Sequence, residues 1–411
     1  MSTAILYQNG SKTVTLLDLP ASIEDAQHSP YKLRSSPAPQ QPYPSTEPKG
    51  ARWDAIVASL PVDEREYHRD LQNQILDTLE EIKLYFVQQP GTPWCCERCP
   101  LLPVARPTAL ETVERHSTFD STSTRNNESP LACSVPLILS STDSLSVFPT
   151  LGHLHNVVVS NPGDRTSTAI TSDGNEFLIP PRSTFLCSTL QQGLSCFTSA
   201  VRTLPAACGR HTWPDRFDLI LMDPPWANRS ARHAKSYSTS ENQRGDPFQQ
   251  ALKIVEAHVV PGGLVAVWIT NKAAIRGHVV QSFESLGLFL QEEWIWIKTT
   301  VHGEPTTPLN GIWRKPYETV LLFRQGPSQR PHRRIIAAVP DVHSRKPSLK
   351  RLLEELLPAD YAALELFARS LTAGWWSWGD DVLKFQHVSC WHGQQDSSSN
   401  GRHISGTSYA C

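Results

Sequence analysis

The apolar run Phe217-Asp218-Leu219-Ile220-Leu221-Met222 passes directly into Asp223-Pro224-Pro225-Trp226, and this junction constrains the fold more than any other stretch of the chain. Six residues of that composition read as a strand buried on both faces, as in parallel sheets. The prolines end it, because each fixes φ and neither can donate to a ladder. From about 210 to 386 strands and helices alternate, the pattern of a mainly parallel α/β sheet. A helix is predicted over Gln249–His258, stopped by Pro261-Gly262-Gly263, and a strand over Leu264–Ile269. A helix over Ala274–Leu286 and strands over Glu293–Ile297 and Tyr317–Phe323 follow. Leu349, Leu352, Leu353 and Leu356 form an apolar stripe after Pro347. Leu364–Phe367 reads as a late strand, and Val382–Phe385 is expected to close the sheet.

In open α/β sheets ligands bind beyond the carboxyl ends of the strands, which is where Asp223-Pro224-Pro225-Trp226 falls. An exocyclic amine such as N6 of adenine shares its lone pair with the ring and is a poor nucleophile. A carboxylate and a carbonyl that accept both of its N–H hydrogens bias it toward a pyramidal, reactive geometry. The prolines hold the carbonyls at a fixed angle, and the Trp226 face can stack on a flipped base. The bland alternative is a proline-rich turn in a chain with 33 prolines. Chance gives this tetrapeptide in about one such chain in a few hundred, and its place at a strand end lowers that further.

Asn228, Arg229, Ser230, Arg232, His233, Lys235, Ser236 and Tyr237 follow within a dozen residues. In a chain of net charge −2 this is a local basic patch with one aromatic, suited to a polyanionic strand. Asn228 has the donor and acceptor needed to read a base edge. A second patch, Arg330, His332, Arg333 and Arg334, is expected to form the other wall. A solvated basic loop is the competing reading for each.

Several further pieces occur in a fixed order: Phe177-Leu178-Ile179-Pro180-Pro181, Trp268-Ile269-Thr270-Asn271-Lys272, Glu293-Trp294-Ile295-Trp296-Ile297-Lys298, Lys315-Pro316-Tyr317-Glu318, His343-Ser344-Arg345-Lys346-Pro347, Glu365-Leu366-Phe367-Ala368-Arg369 and Gly374-Trp375-Trp376-Ser377-Trp378-Gly379. With these, residues from about 150 to 386 resemble the MT-A70 family of adenine-N6 methyltransferases, nearest its methyltransferase-like-four subgroup. The resemblance implies a Rossmann-like methyltransferase sheet in permuted (beta-class) motif order, with the catalytic motif ahead of the cofactor strand. It also implies S-adenosyl-L-methionine as cofactor, direct transfer without a covalent intermediate, and no metal. Asp223 would touch both the amine and the methionine end of the cofactor. Lys346 would sit by the cofactor carboxylate and Arg369 near its ribose, with Glu365, Thr189, Ser370 and Asp380 also lining its site. Lys315 joins Asn228, Arg229, Arg232, Lys235 and Tyr237 on the substrate side.

This sequence departs from the family pattern at three of these positions. The family has an acidic residue near Thr189, and asparagine where Ser370 and Asp380 stand. An ionised Asp380 cannot donate a hydrogen bond, which is the sharper change. RNA of the small nuclear type is the expected substrate. Adenine in DNA is the alternative, and a catalytically silent RNA-binding or scaffold subunit is a third reading. Methylation of a protein amide comes last, because Asp223 and the basic loop favour adenine.

The rest of the chain is less specific. Residues 1–106 read as an N-terminal helical/β accessory region with a Pro-rich flexible linker at 29–50 and an amphipathic helix over Asp63–Gln88, where Tyr67, Leu71, Ile75, Leu79 and Ile82 recur. Residues 107–147 are Ser/Thr-rich and read as a linker. The methyltransferase domain is expected at 148–386, entered through a small β unit at 148–185, and 387–411 reads as a disordered tail. The nine cysteines are scattered, and Cys95, Cys96 and Cys99 lack a fourth ligand nearby, so neither disulfides nor zinc are expected. No apolar run reaches about 18 residues, and the start lacks a secretory signal pattern, so no membrane contact is expected. A nuclear protein (or a cytosolic one) is expected, working as a monomer or beside a homologous subunit.

Overall fold

The computed structural model describes residues 4–89, 94–102, 135–139, 145–207, 215–226, 246–326 and 331–393. Its centre is a mostly parallel sheet of twelve strands. In chain order these are β1 (Ile5–Gln8), β2 (Val14–Leu17), β3 (Leu137–Ile138), β4 (Val158–Ser160), β5 (Thr184–Cys187) and β6 (Phe217–Met222). Then come β7 (Val259–Ile269), β8 (Leu288–Lys298), β9 (Tyr317–Gln325), β10 (His332–Ala338), β11 (Ala363–Leu366) and β12 (Trp376–Gly379). Across the sheet the order is β1-β2-β10-β8-β9-β7-β6-β11-β12-β5-β4-β3.

β6 is the pivot of this order. It pairs in parallel with β7, the next strand in sequence, on one side and with β11, far along the chain, on the other. That makes its carboxyl end a topological switch point, where the connections diverge and leave a crevice. Leu219, Ile220 and Met222 are completely buried, as the apolar run required. The Pro261-Gly262-Gly263 stop lies inside β7, where pairing jumps from Phe217–Val259 to Leu219–Leu264 as a bulge. Gly262 takes φ +76°, which its missing Cβ allows.

Helices cover both faces. α1 (Leu19–Ala26), α2 (Ala51–Ser59) and α3 (Val62–Gln88) belong to the N-terminal region. They are followed by α4 (Leu190–Ala207), α5 (Pro247–His258), α6 (Ala273–Glu284) and the short α7 (Lys350–Glu354). α4, α5 and α6 pack Phe197, Phe248 and Phe283 onto Ile220, Val265 and Phe323. α1 and α7 pack the other face against Leu221, Trp268, Trp294 and Trp296. α3 lays Leu71, Ile75, Leu79 and Ile82 against Ile295, Ile297 and Ile335, the stripe its periodicity predicted.

Three expectations change. The Pro-rich stretch 29–50 is laced to the sheet domain: Ser36 donates to Asp341, Val301 N–H donates to the Pro39 carbonyl, and Tyr43 N–H donates to the Thr306 carbonyl. Part of it, Lys32–Ser35, is a strand that pairs with Trp391–His392 and with Cys99–Pro100, and the proline-rich remainder docks through backbone groups. The N-terminal region also enters the sheet itself, because β2 pairs in parallel with β10. Finally, Val382–Phe385 is a turn, and the strand beside β11 is Trp376–Gly379. Gly379 is required there, since a Cβ would lie 2.4 Å from the Ala368 carbonyl oxygen. Most of 107–147 and residues 394–411 lie outside the described residues, whereas Leu145–Phe148 joins Ser167–Thr171 and Glu176–Ile179 in a small separate sheet. Residues 387–393, read from sequence as the start of a disordered tail, are ordered instead: Trp391 is buried and Trp391–His392 pairs antiparallel with Lys32–Leu33.

Candidate active site

Asp223 begins the turn after β6, and its carboxylate is the hub of a charged network at the switch point. Lys346 Nζ lies 2.9 Å from Asp223 Oδ1 and 3.0 Å from Glu318 Oε2, and Lys298 Nζ lies 2.6 Å from Glu318 Oε1. Arg369 approaches Asp223 Oδ2 at 3.7 Å, beyond hydrogen-bond length. The Lys346 ammonium also sits 4.2 Å from the centre of the Trp268 ring. Burial on its own would lower the Lys346 pKa, but Asp223 and Glu318 more than reverse that and keep it charged. Burial likewise opposes ionisation of Glu318, yet Lys346 and Lys298 hold its pKa down to about 2.

Lys346 is rigidly presented. It follows Arg345, which is 5% exposed and pairs with Asp341 at 2.6 Å while donating to the Arg34 carbonyl. Asp341 in turn accepts from Ser36 N–H, so the lysine loop is anchored on the N-terminal strap. The other wall is the turn after β11, where Phe367 takes φ +59°, an uncommon conformation for a bulky side chain. Glu365 near the end of β11 and Phe367, Arg369 and Ser370 on that turn line the same cleft as Asp223 and Lys346.

The cleft is narrow, with a cavity volume of about 80 Å³. α1 supplies part of its wall through Ile23, Ala26 and Gln27. Gln27 is held by Gln386, its side-chain amide donating to Gln386 Oε1 at 2.8 Å, so the two ends of the described chain meet at the cleft. Burial and then the Asp223 charge push Glu365 up to about 8. With Asp223 ionised, Glu365 is therefore mainly protonated at neutral pH.

Of the sequence-derived residues, the structure gathers Asp223, Lys346, Glu365, Arg369 and Ser370 around one cleft. Thr189 and Asp380 stand just past the ends of β5 and β12 and do not line it; Thr189 Oγ1 accepts from Gln192 N–H at the start of α4, and Asp380 is exposed. Pro224 is buried and its carbonyl accepts the Trp226 N–H at 2.8 Å, while Pro225 is exposed. Trp226 donates its indole N–H to the Trp268 carbonyl at 2.8 Å and leans on Phe248, so the ring is fixed in place. Lys315 is half-buried before β9, away from the cleft lining; burial lowers its pKa, which Glu47 and Glu64 oppose. Asn228, Arg229, Arg232, Lys235, Tyr237 and Arg330 lie outside the described residues.

The second basic patch is not a free groove wall. Arg333 pairs with Glu293 and Asp70, and Arg334 pairs with Glu292, across adjacent strands. Sequence reading also missed Glu318 and Trp268 as parts of the site. Their signal was the two-residue alternation of β9 and β7 near the strand ends, which puts Glu318 and Trp268 on the lysine's face.

Comparison with known proteins fits this geometry. The MT-A70 family model matches residues 217–381, the span from β6 through β12. The chain is 30% identical over 426 aligned positions to the "N6-methyladenosine RNA methyltransferase MTA1" of Pyricularia oryzae, covering 95% of this chain and 97% of that one. It is 46% identical over 182 residues to the protein of the same name in Cryphonectria parasitica, covering 43% of this chain and 54% of that one. It is 34% identical over 246 residues to the human "N(6)-adenine-specific methyltransferase METTL4", covering 56% of this chain and 48% of that one. The aligned part thus spans about half the length of these last two relatives.

Proposed function

The chain belongs to the MT-A70 family, and from that premise we propose that it is an S-adenosylmethionine-dependent methyltransferase acting on the N6 amine of adenine in nucleic acid, with RNA as its substrate. The observation that carries this reading is the Asp223 carboxylate, held at the switch point between Lys346 and Arg369 in the cleft that Glu365 and Ser370 also line. RNA is favoured because the relative aligned over nearly its whole length is named for RNA.

The cleft residues suit the cofactor's parts. Lys346 offers an ammonium for a carboxylate, Asp223 a carboxylate for an ammonium or sulfonium, and Glu365 an acceptor for ribose hydroxyls. Ile23, Leu33 and Leu371 add apolar wall for a purine. When bound, the cofactor supplies a methyl group made electrophilic by its sulfonium. Asp223 Oδ2, with Arg369 at 3.7 Å, can accept one N6–H, while the Pro224 carbonyl keeps one lone pair for the other. Together they orient the N6 lone pair toward the methyl group. Glu318 acts through Lys346: sharing the ammonium keeps Asp223 from being fully occupied by it. Transfer would break the sulfonium's S–CH3 bond as the C–N bond forms, leaving a neutral thioether, and the surplus N6 proton would pass to solvent.

The test is isotopically labelled S-adenosylmethionine with adenine-containing RNA and DNA oligonucleotides, followed by nucleoside mass spectrometry. N6-methyladenosine is the expected product. N6-methyldeoxyadenosine alone would overturn the RNA assignment, and no methylated nucleoside from folded protein would overturn the activity.

Glu365 adds a pH prediction. A cationic sulfonium and ribose donors favour its ionised form, so binding should expel its proton. Affinity for S-adenosylmethionine is then expected to rise from pH 6.5 to a plateau above about 8. Calorimetry in buffers of different ionisation enthalpy should show proton release, absent in Glu365→Gln. A flat profile in the parent protein would remove Glu365 from the cofactor site. For folding the sign is opposite: a carboxyl with a raised native pKa costs stability as pH climbs from its unfolded value toward 8.

A further inference from the structure

β9 runs antiparallel to β7, with Thr319 opposite Ile269, so the segment 299–316 between β8 and β9 rises from the same sheet edge as Asp223. β9 is two strands from β6, roughly 10 Å across the sheet. On this segment stands Trp313, 53% exposed, and among the described residues no other tryptophan is exposed to that degree.

The segment is held in shape by the N-terminal strap. The Glu47 carboxylate accepts three consecutive backbone N–H groups, from Ile312 at 2.7 Å, Trp313 at 3.1 Å and Arg314 at 3.0 Å. Gly311 permits this tight turn, since a Cβ there would lie 2.6 Å from the Arg314 carbonyl oxygen. Just beyond Glu47 on the strap, the Arg52 guanidinium sits 5.7 Å from the Trp313 ring centre. Lys49, Arg52 and Arg314 are exposed, and none of them is in an ion pair among the described residues. The Glu47 carboxylate beside them has both oxygens engaged by the three amide donors. An exposed indole with the Arg52 guanidinium against its ring and the exposed Arg314 next to it in sequence suits a polyanion that carries flat bases.

We propose that Trp313, flanked by Arg52 and Arg314, is a stacking platform for a nucleobase of the single-stranded substrate outside the target adenine, with the arginines taking adjacent phosphates. The platform rests on the nucleic-acid reading of the Asp223 cleft and adds a docking point for the flanking strand. Glu47 is a positioning residue in it, holding the segment that presents the indole.

The experiment compares a single-stranded RNA of about a dozen nucleotides with a trinucleotide carrying the same central adenine. Trp313→Ala is expected to raise KM for the long RNA by about 5- to 150-fold, the worth of one base–aromatic stack. Its kcat and its kinetics on the trinucleotide should match the parent protein. Trp313→Phe should recover most of the loss, and Glu47→Gln should show an intermediate KM. Fluorescence anisotropy of the labelled RNA gives binding without turnover. An unchanged KM and Kd for the long RNA in Trp313→Ala would overturn the platform while leaving the methyltransferase reading intact, and a change in oligomeric state on that background would assign the indole to a protein partner instead. An equal effect on the trinucleotide would also overturn it, by placing Trp313 at the target site. If the parent protein binds RNA through Trp313 yet transfers no methyl group, the catalytic reading fails and the platform stands.

Discussion

Asp223→Asn is expected to lower methyl transfer by about 10³-fold or more while the protein stays folded. The amide keeps the volume of the carboxylate but loses its charge, and one of its two positions becomes a donor. Whichever way the amide turns, it sets N–H against either the Lys346 ammonium or the amine of the adenine, where the parent residue accepts from both. Stability should change little, because Lys346 keeps Glu318 at 3.0 Å and the Trp268 face at 4.2 Å and is not left as an unpaired buried charge. A second readout separates charge from shape. Asp223 is one of the two causes that raise Glu365 toward 8, so in the Asn variant the rise in cofactor affinity should begin at lower pH. Single-turnover rates, near-UV circular dichroism and the pH profile of cofactor binding check the three parts. A folded variant that keeps more than a tenth of the parent rate would make Asp223 a structural residue.

That network shows how far the sequence alone could be read. The strand that ends at Asp223 was legible because its six residues are uniformly apolar and two prolines mark its end. α3 was legible from its stripe, and Val62–Gln88 differs by one residue from the expected start. Local periodicity carries this much and stops where partners are distant in sequence. Arg333 and Arg334 looked like a basic patch because their acids, Glu293 and Glu292, sit forty residues earlier and meet them only through the parallel register of β8 and β10. The Pro-rich strap looked like a linker because its contacts run through backbone carbonyls and through single side chains such as Glu47. α1 could have been found: Asp18 precedes Leu19-Pro20, and its side chain does cap Ala21 N–H at 2.9 Å. Its place on the cleft wall could not, because it depends on Gln27 meeting Gln386, 359 residues away.

Glu293→Ala is the second large effect, and it falls on stability. The side chain is 3% exposed, and its two oxygens serve three partners: Tyr67 Oη donates at 2.7 Å, Arg276 Nε at 3.2 Å and Arg333 Nε at 3.0 Å. These partners come from α3, α6 and β10, so one carboxylate ties two helices and a strand to β8. Removing it leaves two guanidinium groups and a half-buried phenol without their common acceptor. Breaking a buried charge network of this kind costs about 3–5 kcal/mol. The lower end is expected, since Arg276 is 33% exposed and can turn to water while Arg333 keeps Asp70 at 3.0 Å. Denaturant unfolding should show the loss as a shifted midpoint with an unchanged slope. A loss below about 1 kcal/mol would mean that the apolar stripe of α3 holds the helix unaided, and Ile75→Ala, expected to cost about 2–5 kcal/mol, is the control that measures the stripe. The consequence reaches the cleft, because α3 also carries His68, whose Nδ1 lies 2.9 Å from the Tyr317 hydroxyl. Burial and then Lys315 push His68 down to about 4, so it is neutral and this contact does not depend on charge at physiological pH. Tyr317 adjoins Glu318, the residue that shares Lys346 with Asp223. A helix loosened at Glu293 should therefore raise KM for S-adenosylmethionine before the protein unfolds, and Glu318→Gln should raise the same KM directly, by removing the carboxylate that shares Lys346.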